Sequence, residues 1–289
     1  MSIAEQVTAR ITHHGEGPAW DPAVGQLRFV DMMTGDLLTL RPDGGADRVH
    51  VGTVAAAWRP HTSGGVIVAV ERGFALLADD GTVRTLPEVF TDPAIRMNDG
   101  GCDPQGRFYC GTMAYDGTSG AGTVYRLDLD GSVSAVLTGV SISNGIVWSL
   151  DGQTVYYVDT PTKRVDAFDF LAEAGTFGQR RPVAAITAPG ASPDGMTIDA
   201  DGFLWVALWG GGAVHRYSPD GTLADVIDVG ARQVSACAFG GPELDTLYIT
   251  TSRQGLNDDE QPGAGALFAT VPGVRGVPVL PFGVAAAWQ

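Results

Sequence analysis

Short apolar runs alternate with clusters of glycine, aspartate and proline along the whole chain, and no run keeps a helical period over three turns. FYCGTM, TVYYVD, LWVAL and TLYIT are β-branched or aromatic and bounded by turn residues, which predicts short strands. DG and NG dipeptides between them predict tight hairpins. The segment LAEAGTFGQ comes nearest to a helix, and its glycine pair weakens that reading.

The strand-and-turn pattern repeats. Units begin at DPAVGQLRFVD, HTSGGVIVAV, DPQGRFYCGTM, SLDGQTVYYVD, DADGFLWVAL and FGGPELDTLYIT, the last continuing to GALFATVPGVRGVPVL. Their anchor glycines recur at roughly 40–50 residues, the spacing of four-stranded propeller blades. We therefore expect an all-β, six-bladed β-propeller with a central metal-binding channel, built as one domain over residues 1–289. The stretch up to Ile11 is expected to add an outer strand to the last blade, because closing the ring removes exposed sheet edges.

Four units open with related words: GEGPAWD, NDGGCD, NGIVWS and DGMTID. Each places a polar residue (Glu16, Asn98, Asn144, Asp194) five positions before an Asp or Ser. Taken singly, Asn or Asp before glycine makes a turn. In a propeller, however, the innermost strands line the axis, so residues in one register meet there. Two carboxylates and two amides would form an oxygen-rich site suited to Ca²⁺, Mg²⁺ or Mn²⁺ more than to zinc. The matching words VAAAW and VSACAF are apolar or small, so one side of the channel is expected to stay open. With few protein ligands, water completes the shell, as in catalytic ion sites.

Composition narrows the classes. A formal charge of −15 excludes a phosphate-binding surface, so no nucleic-acid partner is expected. The N-terminus lacks a leader pattern and no apolar run would span a bilayer, so the chain reads as cytoplasmic with no membrane partner. Cys102, Cys110 and Cys237 show no CxxC spacing and are expected to be buried thiols. No HExxH or GxSxG motif is present, which leaves metal-assisted chemistry in place of an activated serine.

The words RMNDGGCDPQGRFYCGTM, SNGIVWSLDGQTVYYVDT and SPDGMTIDADGFLWVALWGGG, with GEGPAWD and LRFVD, resemble the regucalcin/gluconolactonase (senescence marker protein) family in order and spacing. The resemblance covers nearly the whole chain. It implies one divalent ion held by Glu16, Asn144 and Asp194, with Ca²⁺, Mn²⁺, Mg²⁺, Zn²⁺ and Fe²⁺ all open, and activity on sugar lactones. It also implies that Arg96 and Asn98 bind substrate and that Asp99 lies at the wall near the metal. Asp116 stands where the family often has Glu, in a loop over the site, and Tyr115 beside it could stack on substrate.

The expected reaction is opening of a sugar lactone by water to a hydroxy acid, with the ion polarising the carbonyl and Asp194 assisting deprotonation. For Arg96 the competing reading is a surface ion pair with Asp92 or Asp99. Trp148 and Trp205 read as core. Two other functions fit the same residues: a phosphotriesterase-like metal hydrolase and a non-catalytic calcium-binding propeller.

Overall fold

The computed structural model describes residues 2–257 and 260–283. Six sheets follow one another in sequence, antiparallel apart from one N-terminal edge strand, and each contributes one blade of a β-propeller. The inner strands are Gly15–Asp21, Ala55–Pro60, Ile95–Cys102, Ser143–Trp148, Ser192–Ile198 and Val234–Gly240, which we assign to blades 1 to 6. Contact between successive inner strands closes the circle, with blade 6 meeting blade 1. Among the described residues only two short 3₁₀ turns, Met32–Thr34 and Thr160–Thr162, are helical. LAEAGTFGQ forms no helix: it ends one strand, turns at Gly175 and begins the next.

Apolar side chains pack between neighbouring blades. Trp58, Phe74, Met97 and Phe108 join blades 1 to 3 in one cluster. Tyr109, Trp148, Phe170 and Phe177 form an aromatic group between blades 3 and 4, with the Tyr109 and Trp148 rings 5.0 Å apart. Trp205 packs edge-on against Phe239 between blades 5 and 6 at 5.6 Å. Trp148 and Trp205 are core residues, as expected, and burial of each such side chain contributes on the order of 2–3 kcal/mol. The three cysteines are buried and free, and burial pushes each thiol up, so none is a ready nucleophile.

The N-terminal segment closes the ring through two blades. Glu5–Gln6 pairs antiparallel with Phe268–Thr270 as the outermost strand of blade 6, as the sequence predicts. Ser2–Ile3 pairs in parallel with Leu223–Asp228 at the edge of blade 5, a second tie that no sequence pattern announced. The chain after Thr270 departs from expectation. GVRGVPVL leaves blade 6 and crosses the lower end of the propeller, where the inner strands finish. Gly276 donates to Leu244 O at 2.8 Å, Phe282 to Pro60 O at 2.8 Å and Gly283 to Gly106 O at 2.9 Å. Its interspersed Gly273, Gly276 and Pro278 suit an extended strap and not a ladder strand.

All six inner strands carry a register shift near their beginning: after Glu16, Ala55, Met97, Asn144, Pro193 and Val234. A β-bulge bends a strand and re-aims its side chains. Here it turns one residue per blade toward the axis at one level.

Deleting residues 2–6 removes both ties and leaves the edges of blades 5 and 6 unpaired. Thermal unfolding should shift down by on the order of 5–10 °C, with faster aggregation, as read by calorimetry and light scattering.

Candidate metal centre

The bulges bring Glu16, Asn98, Asn144 and Asp194 to the upper end of the channel, all buried at 4–5 % exposure. At the same level blade 2 has Ala56, and blade 6 has Ser235, whose hydroxyl donates to Gly15 O at 2.5 Å. The expected division into a polar arc and a small-residue arc is present. The second residue of each opening word does something else. Asp21, Asp103, Ser149 and Asp199 lie at the lower ends of the strands and accept from the amides of the following turns. One sequence word therefore contains a site residue at its start and a turn cap at its end.

A chain of hydrogen bonds fixes the amides. Arg96 Nη1 donates to Asn98 Oδ1 at 2.7 Å, and Asn98 Nδ2 donates to Ser143 O at 2.8 Å and to Asn144 Oδ1 at 3.1 Å. Asn144 Nδ2 donates to Thr160 Oγ1 at 2.8 Å, and Thr160 Oγ1 donates to Pro193 O at 2.9 Å, one residue before Asp194. The series runs from blade 3 through blade 4 to blade 5. It sets the Asn144 amide so that its oxygen faces Asn98 and its nitrogen faces away.

The carboxylates are poorly compensated. Glu16 Oε2 accepts from Gly17 N at 3.1 Å, and no side-chain donor reaches Glu16 or Asp194 among the described residues. Burial holds the Glu16 carboxyl well above the usual range, and the charges of Asp194 and Asp99 push it further. Asp194 is raised for the same reasons, burial first and Asp99 second, with Arg96 opposing. Asp99 is half-buried, its Oδ1 tied to Gly100 N at 2.7 Å, and burial raises it against the nearby Arg59 charge. Two buried carboxylates with so few donors need either protons or a cation.

No cluster of three His, Cys, Asp or Glu side chains forms a cation site among the described residues. The donor set here is two carboxylates and an oriented amide oxygen, which matches a hard divalent ion. Glu16, Asn144 and Asp194 would hold it, with Asn98 and Thr160 orienting the amide.

Arg96 is buried at 4 % exposure and forms no ion pair with Asp92 or Asp99, so the surface reading does not hold. Its Nη1 also meets Met97 O and Met32 Sδ, while Nε and Nη2 have no partner among the described residues. The Arg96 guanidinium lies 5.8 Å from the Tyr115 ring centre. Tyr115, about two-fifths exposed, donates to Glu71 Oε1 at 2.6 Å and forms a rim between blades 2 and 3. Asp116 is exposed and accepts from Thr118 N and Thr118 Oγ1 in a local turn, with no hydrogen bond to the other site residues among the described residues.

Three groups escaped the sequence reading. Asp31 accepts from His14 N at 2.9 Å, and Asp159 accepts from Ile142 N at 2.9 Å, each holding the backbone two residues before a site residue. Their signal was present in LRFVD and VYYVD, where Asp31 and Asp159 follow Glu16 and Asn144 by the same interval. His14 is the third. It is buried beside the Trp209 ring with Nδ1 2.7 Å from Ser252 Oγ, and burial with the nearby Arg96 charge lowers its pKa to about 3. It is neutral at ordinary pH, and no motif marked it.

The family described as "SMP-30/Gluconolactonase/LRE-like region" matches residues 14–253. Pentonolactonase XacC of Haloferax volcanii is 40% identical over 88% of this chain and 89% of its own length. Regucalcin of Oryctolagus cuniculus is 36% identical over 92% of this chain and 93% of its own length. A solved calcium-binding protein, regucalcin from Agrobacterium tumefaciens, superposes with a TM-score of 0.92 at 29% identity, covering 98% of each chain. With this match and with likeness running over most of its length, the chain belongs to the SMP-30/gluconolactonase/LRE-like family.

Proposed function

We propose that the chain, acting as a single domain, is a divalent-metal-dependent lactonase that opens sugar lactones to hydroxy acids. The observation that carries this reading is the pair of buried carboxylates, Glu16 and Asp194, set beside an oriented amide and a buried arginine with free donors. The pentonolactonase name of a 40% identical relative supports the substrate class.

When bound, a divalent cation supplies polarisation of an ester carbonyl and acidification of water. Arg96 offers Nε and Nη2 to hydroxyl or ring oxygens in a fixed fork. Asn98, held by Arg96 on one side and Asn144 on the other, presents its remaining oxygen lone pair to a sugar hydroxyl. Asp194 takes the proton of the attacking water on a carboxylate oxygen and returns it to the ring oxygen as the ester C–O bond breaks. The product is a hydroxy acid. Tyr115 provides an aromatic surface at the rim, and His14, neutral beside Trp209, closes the wall toward blades 5 and 6.

Stripping the protein with chelator should abolish turnover of an aldonolactone panel, and adding back Mn²⁺, Ca²⁺, Zn²⁺ or Fe²⁺ singly should restore it. Glu16→Gln and Asp194→Asn should each lose at least about 100-fold in kcat/KM. Undiminished activity after stripping would overturn the reading. Faster turnover of small phosphotriesters than of lactones would move the substrate class.

Thr160→Val frees the Asn144 amide to rotate and should weaken cation affinity by about 10-fold in calorimetric titration, with Thr160→Ser close to the parent. The metal-free protein should also show a distinct pH dependence. Glu16 and Asp194 have folded pKa values raised above the unfolded range, so the folded state binds more protons there. Stability is therefore greatest below the unfolded pKa of about 4 and falls as pH rises through the raised values. Thermal melts should show this fall flattened in the Glu16→Gln/Asp194→Asn double variant. The gain on adding cation should grow with pH across the same window.

A further inference from the structure

A cavity occupies the lower end of the channel, away from the candidate metal centre. Its volume is about 550 Å³, and it is lined by the final residues of the inner strands and by Val277–Leu280 of the crossing strap. The site residues stand at the beginnings of the same strands, so this chamber and the candidate metal centre lie at opposite ends of one axis. Trp20, Ile146, Trp148, Met196, Phe239 and Leu280 give the lower chamber a largely apolar wall. The volume lies in the range of small-molecule pockets.

Among the described residues one cation lines this chamber. Arg59, half-buried, is fixed by Nη1 on Trp58 O at 2.6 Å and by Nη2 on Gly100 O at 2.7 Å. Both partners are neutral carbonyls, and no carboxylate lies within ion-pair distance of Arg59 among the described residues. Arginines elsewhere in the chain do meet acids, as Arg107 does with Asp103 at 2.6 Å. Although Asp99 feels its charge, Arg59 forms no ion pair among the described residues and keeps spare N–H donors at the edge of an apolar room. The acid at the lower rim, Asp151, is already engaged by Ser149 Oγ and Gln153 N.

We propose that the lower chamber is a second binding site, distinct from the metal centre, for an organic monocarboxylate with an aromatic or aliphatic body. The carboxylate pairs with Arg59, and the body lies among Trp20, Trp148, Met196 and Phe239 beneath the strap. Charge complementarity selects the head group, and apolar burial selects the rest. This assignment is independent of the reaction at the upper end.

The test uses 4-phenylbutyrate and its neutral analogue 4-phenylbutan-1-ol, titrated into the full chain by calorimetry and by tryptophan fluorescence. The protein is first stripped with chelator so that no cation at the upper end can capture the carboxylate. One phenylbutyrate should bind per chain, and equally well to Glu16→Gln, with the alcohol weaker by about tenfold or more. Arg59→Gln should weaken the acid by about tenfold while leaving the alcohol unchanged. Ala238→Phe fills the chamber wall and should abolish binding of both. It carries the test alone if Arg59→Gln does not fold. Dependence of binding on added cation, its loss in Glu16→Gln, or unchanged acid affinity in Arg59→Gln or in Ala238→Phe would overturn the proposal. So would the absence of saturation up to about 10 mM acid.

Discussion

Six inner strands converge on one axis, and their close approach is the constraint on which the rest depends. At Gly145 an added Cβ would come within 2.7 Å of Met196 Cβ, and at Gly195 within 2.5 Å of Ala236 Cβ. Strands that approach this closely have little room for paired side chains at the contact. Each therefore bulges at that level, and the bulge aims one side chain at the axis. The glycines of NG and DG in the opening words are thus explained by packing between blades as well as by turn chemistry.

Convergence has an electrostatic consequence. It brings Glu16, Asp194 and Asp99 into one another's fields inside a protein wall, where like charges interact strongly. The backbone offers little in return, since Glu16 receives one amide. Compensation comes from Arg96 on one side and, in the proposed reaction, from a cation. The hydrogen bonds from Arg96 through Asn98, Asn144 and Thr160 to Pro193 give this charged region rigid neutral walls. Farther down the axis the same strands end in apolar residues, and Arg59 stands between the two environments. A single channel therefore has one end suited to a cation and polar hydroxyls and another suited to an apolar body.

Much of the fold was legible because propeller blades are local. A blade is three hairpins in sequence order, so FYCGTM, TVYYVD and LWVAL announce their strands and DG turns announce the connections. The candidate site was legible for a related reason: equivalent positions in a repeat become neighbours on an axis, and Glu16, Asn144 and Asp194 stand in one register. What escaped was non-local. The Pro and Gly residues of the strap after Thr270 disfavour a ladder strand, but only its bonds to Pro60 and Gly106 place it across the lower end. The roles of Asp31 and Asp159 depend on backbone amides across a hairpin, although their interval repeats in the sequence. Arg96 and Asp92 are close in sequence, yet burial turns the arginine toward Asn98 and away from the acid.

The sequence by itself determined the period, the turn positions, the all-β character and the register of the polar residues, because these follow from side-chain alternation and backbone preference over a few neighbouring residues. Only the tertiary structure decided which of those residues are deprived of water and of hydrogen-bond partners. Glu16 and Asp21 are both acids at the ends of one strand; Asp21 meets Arg28 at 2.8 Å and the amide of Ala23, whereas Glu16 meets its own backbone and the field of Asp194. The difference between a turn cap and a proposed metal ligand is solvation and the arrangement of charges, and both are set by chain segments far apart in sequence.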